Sequence, residues 1–328
     1  MGIVNFGNGV ASFGIPLMGG GGIPATFGKV FFVDYDNGND GNNGRSANKA
    51  FKTIQKAIDN ATTNANDVIC LSAYSVHPQT TMLTVSKSRL HFIGLDGGRR
   101  KVDPRTRIEL TGSTTATNVA ALKVTGMGCS FTNLKIMNAH TVTESLYGVV
   151  AAGEDTVWQN CTIQMNAKQS TGATVADLLL QSTNDRFIEC SIGNPALVMS
   201  AARNNVLCNA AVVNLSAASN CRFDSCEFVH WGSHADILKL YCVANGDIYD
   251  RLVFKNCEFS AKVAEGTIGT TILTNPPASL TSGRIWFINP ALLDIAGICG
   301  DADKNSVYVN GPLDVRSSGI SKNAQTSA

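Results

Sequence analysis

The chain has 328 residues, a formal net charge of +1 and only 16% charged residues, and it contains 31 glycines. These proportions suit a β-rich, turn-rich protein, and the lack of a basic block argues against a nucleic-acid-binding surface. No apolar run reaches the roughly 18 residues that a membrane span needs, and the N-terminus lacks the basic start and continuous apolar run of a secretion signal. We therefore expect no nucleic-acid partner and no membrane partner.

Residues 1–28 contain no Asp, Glu, Lys or Arg, and nine of them are glycine. The glycines and Pro16 disfavour a helix, so we expect an extended Gly-rich arm. Exposed apolar side chains on such an arm usually mark a partner surface. The alternative is that the arm packs against its own chain and closes one end of the core. The apolar residues predicted to contact a partner are Phe6, Phe13, Ile15, Leu17 and Met18.

A strand and a short helix are predicted for residues 29–65. Val30–Val33 is a run of β-branched and aromatic residues, which is typical of a strand. The helix is predicted from apolar residues that recur at i, i+3, i+4 and i+7 on one face. These are Ile54, Ala57, Ile58 and Ala61.

The loop between this strand and helix is rich in Asp, Asn and Gly. Its Asp34, Asp36 and Asp40 are plausible oxygen ligands for calcium, but the loop lacks the twelfth-position Glu of an EF-hand. The same residue types are ordinary turn formers. A solvated turn is therefore the favoured interpretation, and no metal site is predicted.

A six-residue motif returns along the middle of the chain at intervals of 27 to 36 residues. It reads aromatic, any residue, Asn or polar, Cys or Leu, any residue, and Ile or Phe. A short apolar motif with this period indicates a solenoid with one coil per repeat. The five copies begin at Phe131, Trp158, Phe187, Phe223 and Phe254.

The third position of the motif is predicted to be a corner between two strands. Positions one, four and six face inward, so the alternation of side chains slips once, at position three. Asn tolerates the left-handed conformation that a one-residue bend needs. In stacked coils these side chains would form a ladder of hydrogen-bonded amides, interrupted where Glu189 and Ser225 stand. The predicted ladder residues are Asn133, Asn160 and Asn256.

Four of the ten cysteines occupy the inward fourth position of the motif. No C-x-x-C occurs, and the thiols are spread through the coils. This favours small buried side chains in a reduced compartment over a disulfide ladder or a metal site. The four are Cys161, Cys190, Cys226 and Cys257. No cofactor is predicted.

The outward fifth position holds Glu227 and Glu258 in neighbouring coils. In register they would stack about 5 Å apart. Two carboxylates at that separation can share a proton or act as the acid and nucleophile of a retaining glycosidase. A solvated surface row is the favoured alternative, so Glu227 and Glu258 are only weak catalytic candidates.

Residues 230–236 follow the fourth motif copy and place Trp231 between His230 and His234. Trp is enriched at interfaces, so these three residues are predicted to contact a glycan or another subunit. Local packing is the alternative. Metal binding by His230, His234 and Asp236 is disfavoured because the spacing lacks the support of a helix.

The motif with its corner Asn resembles the asparagine ladder of right-handed parallel β-helices, the pectate-lyase-like family. The strand, the polar loop and the helix that begins Phe51-Lys52-Thr53-Ile54 are similar to the start of many members, where the helix caps the first coil. The resemblance implies an all-β fold: a single-stranded right-handed parallel β-helix with an N-terminal capping helix and an extended N-terminal arm. The implied divisions are the arm (1–28), the strand and capping helix (29–65), the β-helix of some eight coils (66–312) and a polar tail (313–328).

Short β-helices with such a cap, no secretion signal and reduced cysteines resemble bacteriophage virion proteins, which usually form trimers. The arm and tail leave little room for the adaptor and trimerisation domains of a tailspike. The resemblance thus implies a virion-located homotrimer that decorates a capsid as a cement protein. Its partner would be the major capsid protein or another virion protein, which the arm would contact, and its outer face would bind a polysaccharide secondarily. The alternative is a tailspike-type polysaccharide depolymerase, either a lyase or a hydrolase.

Overall fold

A computed structural model of the chain describes most of the region between residues 28 and 310, together with two short pieces before it. The described residues are 11–12, 15–16, 28–96, 106–111, 119–139, 146–166, 175–193, 203–209, 219–231, 236–241, 251–262, 271–274, 284–293, 295, 297–299 and 307–310.

The described residues are almost entirely in strands. One 3₁₀ turn covers Ala47–Lys49, and the single α-helix among them, α1, covers Ile54–Asn60. In chain order the strands are β1 (Ala11–Ser12), β2 (Ile15–Pro16), β3 (Val30–Val33), β4 (Asp67–Leu71), β5 (Val76–Gln79), β6 (Leu83–Val85), β7 (Leu90–Gly94), β8 (Arg107–Leu110), β9 (Ala120–Val124), β10 (Ser130–Thr132), β11 (Lys135–Asn138), β12 (Tyr147–Ala151), β13 (Val157–Gln159), β14 (Thr162–Met165), β15 (Val175–Leu180), β16 (Arg186–Ile188), β17 (Ser191–Gly193), β18 (Arg203–Asn209), β19 (Cys221–Asp224), β20 (Glu227–Trp231), β21 (Asp236–Tyr241), β22 (Arg251–Lys255), β23 (Glu258–Lys262), β24 (Thr271–Thr274), β25 (Arg284–Ile288), β26 (Ala291–Leu293), β27 (Gly297–Cys299) and β28 (Val307–Asn310).

Successive strands from β4 onward join three parallel sheets in turn, so that every third strand belongs to the same sheet. A ten-stranded sheet holds β3, β4 and then every third strand from β7 to β28. Two eight-stranded sheets run from β5 to β26 and from β6 to β27, again by threes. The chain therefore winds through eight coils of three strands each, and the all-β parallel β-helix predicted from the repeats is confirmed. The motif itself covers only two of the three strands in a coil.

The first position of the motif builds a continuous column of stacked rings inside the helix. Ring centroids of successive coils lie 4.3 to 5.8 Å apart, with planes within 12° of parallel. Because parallel strands are about 4.8 Å apart, in-register aromatic residues stack face to face. Every ring in the column is at most 1% exposed. The column consists of Phe92, Phe131, Trp158, Phe187, Phe223, Phe254 and Phe287.

The third position of the motif is left-handed in all five copies, including those without Asn. Glu189 has φ 52° and Ser225 has φ 54°, because the bend is required by the turn from one sheet to the next. A sixth copy begins at Phe287, with its corner at Asn289 (φ 49°). The sequence pattern missed it because Pro290 stands where Cys or Leu was expected.

The N-terminal end of the stack is covered by β3 and α1. Thr53 caps α1 by accepting a hydrogen bond from the backbone N–H of Lys56 at 3.2 Å. The apolar face of α1 joins the main core, with Ile54 and Ala57 fully buried and Ile58 only 3% exposed. Phe51 contributes to the same cap, since it is 1% exposed and its ring lies 5.9 Å from that of Phe31.

The cysteines whose side chains the structure describes are all buried and unbridged: Cys70, Cys129, Cys161, Cys190, Cys208, Cys221, Cys226 and Cys257. The four motif thiols each lie 3.3 or 3.4 Å from the first-position carbonyl of the preceding coil. Burial raises the pKa of Cys70 to about 12, which makes this thiol unreactive near neutral pH.

None of the helical segments that the structure describes is long and apolar enough to cross a membrane.

Candidate functional site

The ladder residues lie at the corners between the ten-stranded sheet and the sheet of β11, β14 and β23. Asn160 Nδ2 donates to Asn133 Oδ1 at 2.8 Å, and Asn289 Nδ2 donates to Asn256 Oδ1 at 3.3 Å. Between these two amide pairs the corner passes through Glu189 and Ser225. The ladder amides therefore bond neighbouring coils to each other at the bend, which is a structural role.

The carboxylate candidates are neighbours across two strands. Parallel pairing sets Glu227 of β20 opposite Glu258 of β23, and Ser191 of β17 is next in the same row. The Ser191 hydroxyl donates to Glu227 Oε2 at 3.4 Å. Both glutamates are half-buried and point away from the ring column. Such a row has the composition of a retaining acid and nucleophile pair, and its catalytic role stays a prediction.

His230 lies inside the molecule rather than on its surface. Its side chain is 3% exposed, and Nδ1 lies 3.2 Å from Asn205 Oδ1. Because an amide oxygen only accepts, the imidazole donates from Nδ1. Asn205 Nδ2 in turn donates to Asp177 Oδ2 at 3.1 Å and to the Val229 carbonyl at 2.9 Å. The predicted surface contact through His230 therefore gives way to the alternative of local packing.

The other two residues of that prediction are less fully defined. Trp231 ends β20, and only its backbone placement is described. His234 lies outside the described residues. Their contact with a glycan or a subunit stays a prediction.

The predicted partner-contacting residues of the arm mostly lie outside the described residues. Those outside are Phe6, Phe13, Leu17 and Met18. Ile15 belongs to β2, which pairs antiparallel with β1. The contact of these residues with a partner stays a prediction.

The acidic loop is held by backbone donors of the kind found in turns. Asp34 Oδ1 accepts from the N–H groups of Asp36 at 3.0 Å and Asn37 at 3.2 Å. Asp40 Oδ1 accepts from Lys52 and Thr53, both at 2.9 Å, and so ties the loop to the start of α1. Among the described residues, no group of three His, Cys, Asp or Glu side chains is arranged to hold a metal ion.

Two buried ionisable groups have strongly shifted pKa values. Burial lowers the pKa of His77, beside Asp34 and Asp36, to about 4. Burial raises the pKa of Asp185 to about 7, although its carboxylate accepts from the Ser182 hydroxyl at 2.7 Å and the Thr156 N–H at 2.9 Å. At 1% and 0% exposure these groups do not meet solvent. Perturbed pKa values can mark function, but here they mark structural burial.

The outward face of the ten-stranded sheet carries a polar and aromatic surface that the sequence did not reveal. Arg186 and Arg222 flank Asp224, with nitrogen–oxygen distances of 3.8 and 2.7 Å to its Oδ2. Further along, Trp286 and Tyr308 stack at 4.7 Å. All these positions except Asp224 precede an inward residue of the core. The available signal was the residue immediately before each first-position aromatic, which alternation turns outward.

No protein-family model matches the chain, and no curated protein matches it. Several solved structures are similar to the chain, and two of them show its fold. The pectate lyase Pel9A superposes with a TM-score of 0.55 at 13% identity, covering 86% of this chain and 68% of the enzyme. A pectin methylesterase mutant in complex with a hexasaccharide gives 0.51 at 13% identity, covering 85% and 80%. With the three large parallel sheets, these likenesses support a right-handed parallel β-helix, and at such identity they establish the fold alone.

A protein described as Geobacillus virus E2 ORF18 is also similar, with a TM-score of 0.49 at 12% identity. The likeness covers 86% of this chain and 55% of the viral protein. At this score it carries no weight for function.

Proposed function

We propose that this chain is a structural protein of a bacteriophage virion, a trimeric β-helix that decorates the capsid shell as a cement protein. In this proposal the uncharged arm of residues 1–28 contacts the major capsid protein or another virion protein. The outer face of the β-helix is left to meet host-surface glycans. The observation that carries the proposal is that β3 and α1, which follow the arm in sequence, cover the N-terminal end of the core.

A β-helix has to protect both core and strand edges at its ends. Here that protection comes from β3 and α1, whose Phe51, Ile54 and Ala57 are at most 1% exposed. The competing role for the arm was to close this end. Since residues after the arm already do so, an apolar, uncharged arm is better suited to a partner surface.

The interior of the described coils supports a rigid scaffold. A continuous ring column, rows of buried thiols and the network of Asp177, Asn205 and His230 all fix the coils to one another. Each polar side chain of that network lies at most 3% exposed. Such groups stabilise a shape and are not accessible to a substrate.

The test is the binding of the full chain and of a variant lacking residues 1–28 to purified capsid shells of the phage that encodes it. Shells from which the native copies of this protein have been removed are incubated with each variant and sedimented. The amount of protein that sediments with the shells is then quantified. We expect saturable binding of the full chain and at least a tenfold loss for the truncated chain. Circular dichroism on the truncated chain checks that the β-helix is retained. Equal binding of the two proteins would refute the role of the arm.

The second candidate function is polysaccharide cleavage, and the in-register pair of Glu227 and Glu258 is the observation that favours it. Such an enzyme would shorten a bacterial surface polysaccharide, and Glu227→Gln or Glu258→Gln would abolish cleavage. The decoration proposal expects that wild type cleaves none of the glycans offered. Cleavage by wild type that either substitution removes would establish the enzyme instead.

A further inference from the structure

On the outward face of the ten-stranded sheet one short side chain, Val253, stands among four long ones, and this position is here called the Val253 hollow. β22 turns Arg251, Val253 and Lys255 outward, because Leu252 and Phe254 between them are buried. The pairing of β22 with its neighbours sets Arg222 beside Val253 on one side and Trp286 beside it on the other. A short aliphatic side chain thus forms the floor, surrounded by four long ones.

The indole of Trp286 forms one wall of the hollow. Its ring lies 4.7 Å from that of Tyr308, with 18° between the planes. This separation equals the spacing of adjacent strands, about 4.8 Å, so the two rings stand with their faces along the axis of the stack. Tyr308 covers one face of the indole, and the other face is turned towards the coil of Val253.

The remaining three walls are cationic, and two are held in place. Arg222 Nε lies 2.7 Å from Asp224 Oδ2, and Arg251 Nε donates to Asn220 Oδ1 at 3.0 Å. Lys255 completes the set. Among the side chains that the structure describes, three cations thus surround the hollow with one carboxylate, Asp224, which lies beside Lys255 and is also 3.8 Å from Arg186. The local charge favours an anion.

The dimensions suit a single sugar ring. Arg222 and Trp286 are two strand spacings apart, about 9.6 Å. Van der Waals contact takes about 3.5–4.0 Å on each side of an inserted group, which leaves room for one ring of modest thickness. An aromatic face opposite guanidinium groups therefore suits a negatively charged unit that presents an apolar C–H face to the indole.

We propose that the Val253 hollow binds a carboxylate-bearing sugar unit of an acidic glycan. The sugar ring stacks on the indole of Trp286, and its carboxylate is bound by Arg222, Arg251 and Lys255. This inference rests on the proposed function only in taking the outer face as a glycan-binding face. It assigns the chemical class of the glycan and the residues that recognise it.

The experiment measures binding of the full chain to defined oligosaccharides by titration calorimetry. The probes are oligosaccharides of hyaluronan, alginate and polysialic acid, with maltoheptaose as the neutral control. Polyacrylate is the control for a carboxylate polymer without sugar rings. The variants are Trp286→Ala, Arg222→Gln and Val253→Phe, with Lys49→Gln at the opposite end of the stack as the matched charge control.

We expect at least one acidic oligosaccharide to bind and maltoheptaose not to bind. Trp286→Ala and Arg222→Gln should each weaken binding at least tenfold, whereas Lys49→Gln leaves it unchanged. Val253→Phe is the decisive variant, because a ring at this position stacks on Trp286, fills the hollow and preserves the fold. It should abolish binding without lowering the thermal unfolding midpoint.

Three results would overturn the inference. One is that none of the acidic probes binds wild type. Another is that polyacrylate binds as tightly as the sugars and Trp286→Ala has no effect, which would indicate charge attraction alone. The last is that Val253→Phe binds normally, or changes the oligomeric mass instead, which would make the face a contact between copies. If wild type binds no glycan while deletion of the arm still abolishes binding to the capsid shell, only the proposal for the Val253 hollow is refuted.

Discussion

Removal of one ring from the middle of the core column is the sharpest test of how the coils are held together. Phe223 is fully buried, and its ring lies 4.5 Å from that of Phe187 and 4.9 Å from that of Phe254. A third ring, Phe228, meets it edge-on at 5.5 Å. Phe223→Ala therefore removes three ring contacts and leaves a cavity between two rigid neighbours.

The expected cost follows from these contacts. A buried Phe→Ala substitution destabilises by about 3–5 kcal/mol, and each aromatic pair adds about 0.5–1.5 kcal/mol beyond the area that it buries. The neighbouring rings are fixed by their own strands and cannot collapse into the space. We therefore expect a loss near the upper end, about 5 kcal/mol, and a smaller loss for Phe223→Leu.

Urea unfolding followed by far-ultraviolet circular dichroism measures the effect. Tyr74→Ala is the control, because Tyr74 is 64% exposed and its truncation should change the free energy of unfolding by less than about 0.5 kcal/mol. A loss below about 1 kcal/mol for Phe223→Ala would show that the ring column does not hold the stack together.

Three further outcomes are expected. Burial lowers the pKa of His77 to about 4. Below about pH 6.5 the imidazole of His77 therefore binds a proton in the unfolded chain while it stays neutral in the folded chain. The free energy of unfolding should therefore fall by about 3 kcal/mol between pH 7 and pH 4 on account of this group. His77→Gln should reduce that fall in urea titrations at the two pH values, and an unchanged fall would contradict the assignment. Asn256 has φ 52°, so Asn256→Ala should lower the free energy of unfolding by about 2 kcal/mol through backbone strain and the lost amide hydrogen bond. Asn256→Gly loses only the amide hydrogen bond and should lower it less. Equal losses for the two variants would argue against strain. Because like charges opposite each other destabilise a sheet by about 0.2–1 kcal/mol, Glu258→Gln should raise the free energy of unfolding slightly, and a clear decrease would count against the solvated-row interpretation.

The fold was predictable because in-register stacking repeats local rules in every coil. The first-position aromatics of the motif are in register from coil to coil, so the motif that begins at Phe131, Trp158 and Phe187 describes the column directly. The bend at position three was also visible in the sequence. Because only three of the five motif copies have Asn there, the sequence suggested fewer bends than the structure has. Glu189 and Ser225 adopt the same left-handed backbone, which shows that the required geometry, and not the Asn side chain, sets the corner.

A second row of polar corner residues was not predicted. At the opposite end of the strands of the ten-stranded sheet, Asn184 Nδ2 donates to Asp155 Oδ1 at 3.1 Å and Asn220 Nδ2 donates to Asn184 Oδ1 at 2.9 Å. Each of these residues lies three positions before the first-position aromatic of its coil, which is Trp158, Phe187 or Phe223. This constant offset was a sequence signal, and it was missed because the six-residue motif begins only at the aromatic.

The candidate sites were less predictable because their partners are on other coils. His230 was placed on the surface by its neighbours in sequence, whereas its environment is fixed by Asn205, 25 residues away. The hollow at Val253 is likewise assembled from three strands, and only their register brings Arg222 and Trp286 to either side of one small residue.

The most direct test of the proposed capsid role is the location of this chain on virus particles purified from the source that encodes it. Antibodies against the β-helix, carried on gold particles and viewed by electron microscopy, give that location. We predict labelling spread over the capsid shell and lost from particles assembled with the variant lacking residues 1–28. Labelling confined to the tail tip, or no labelling of virions at all, would contradict the account.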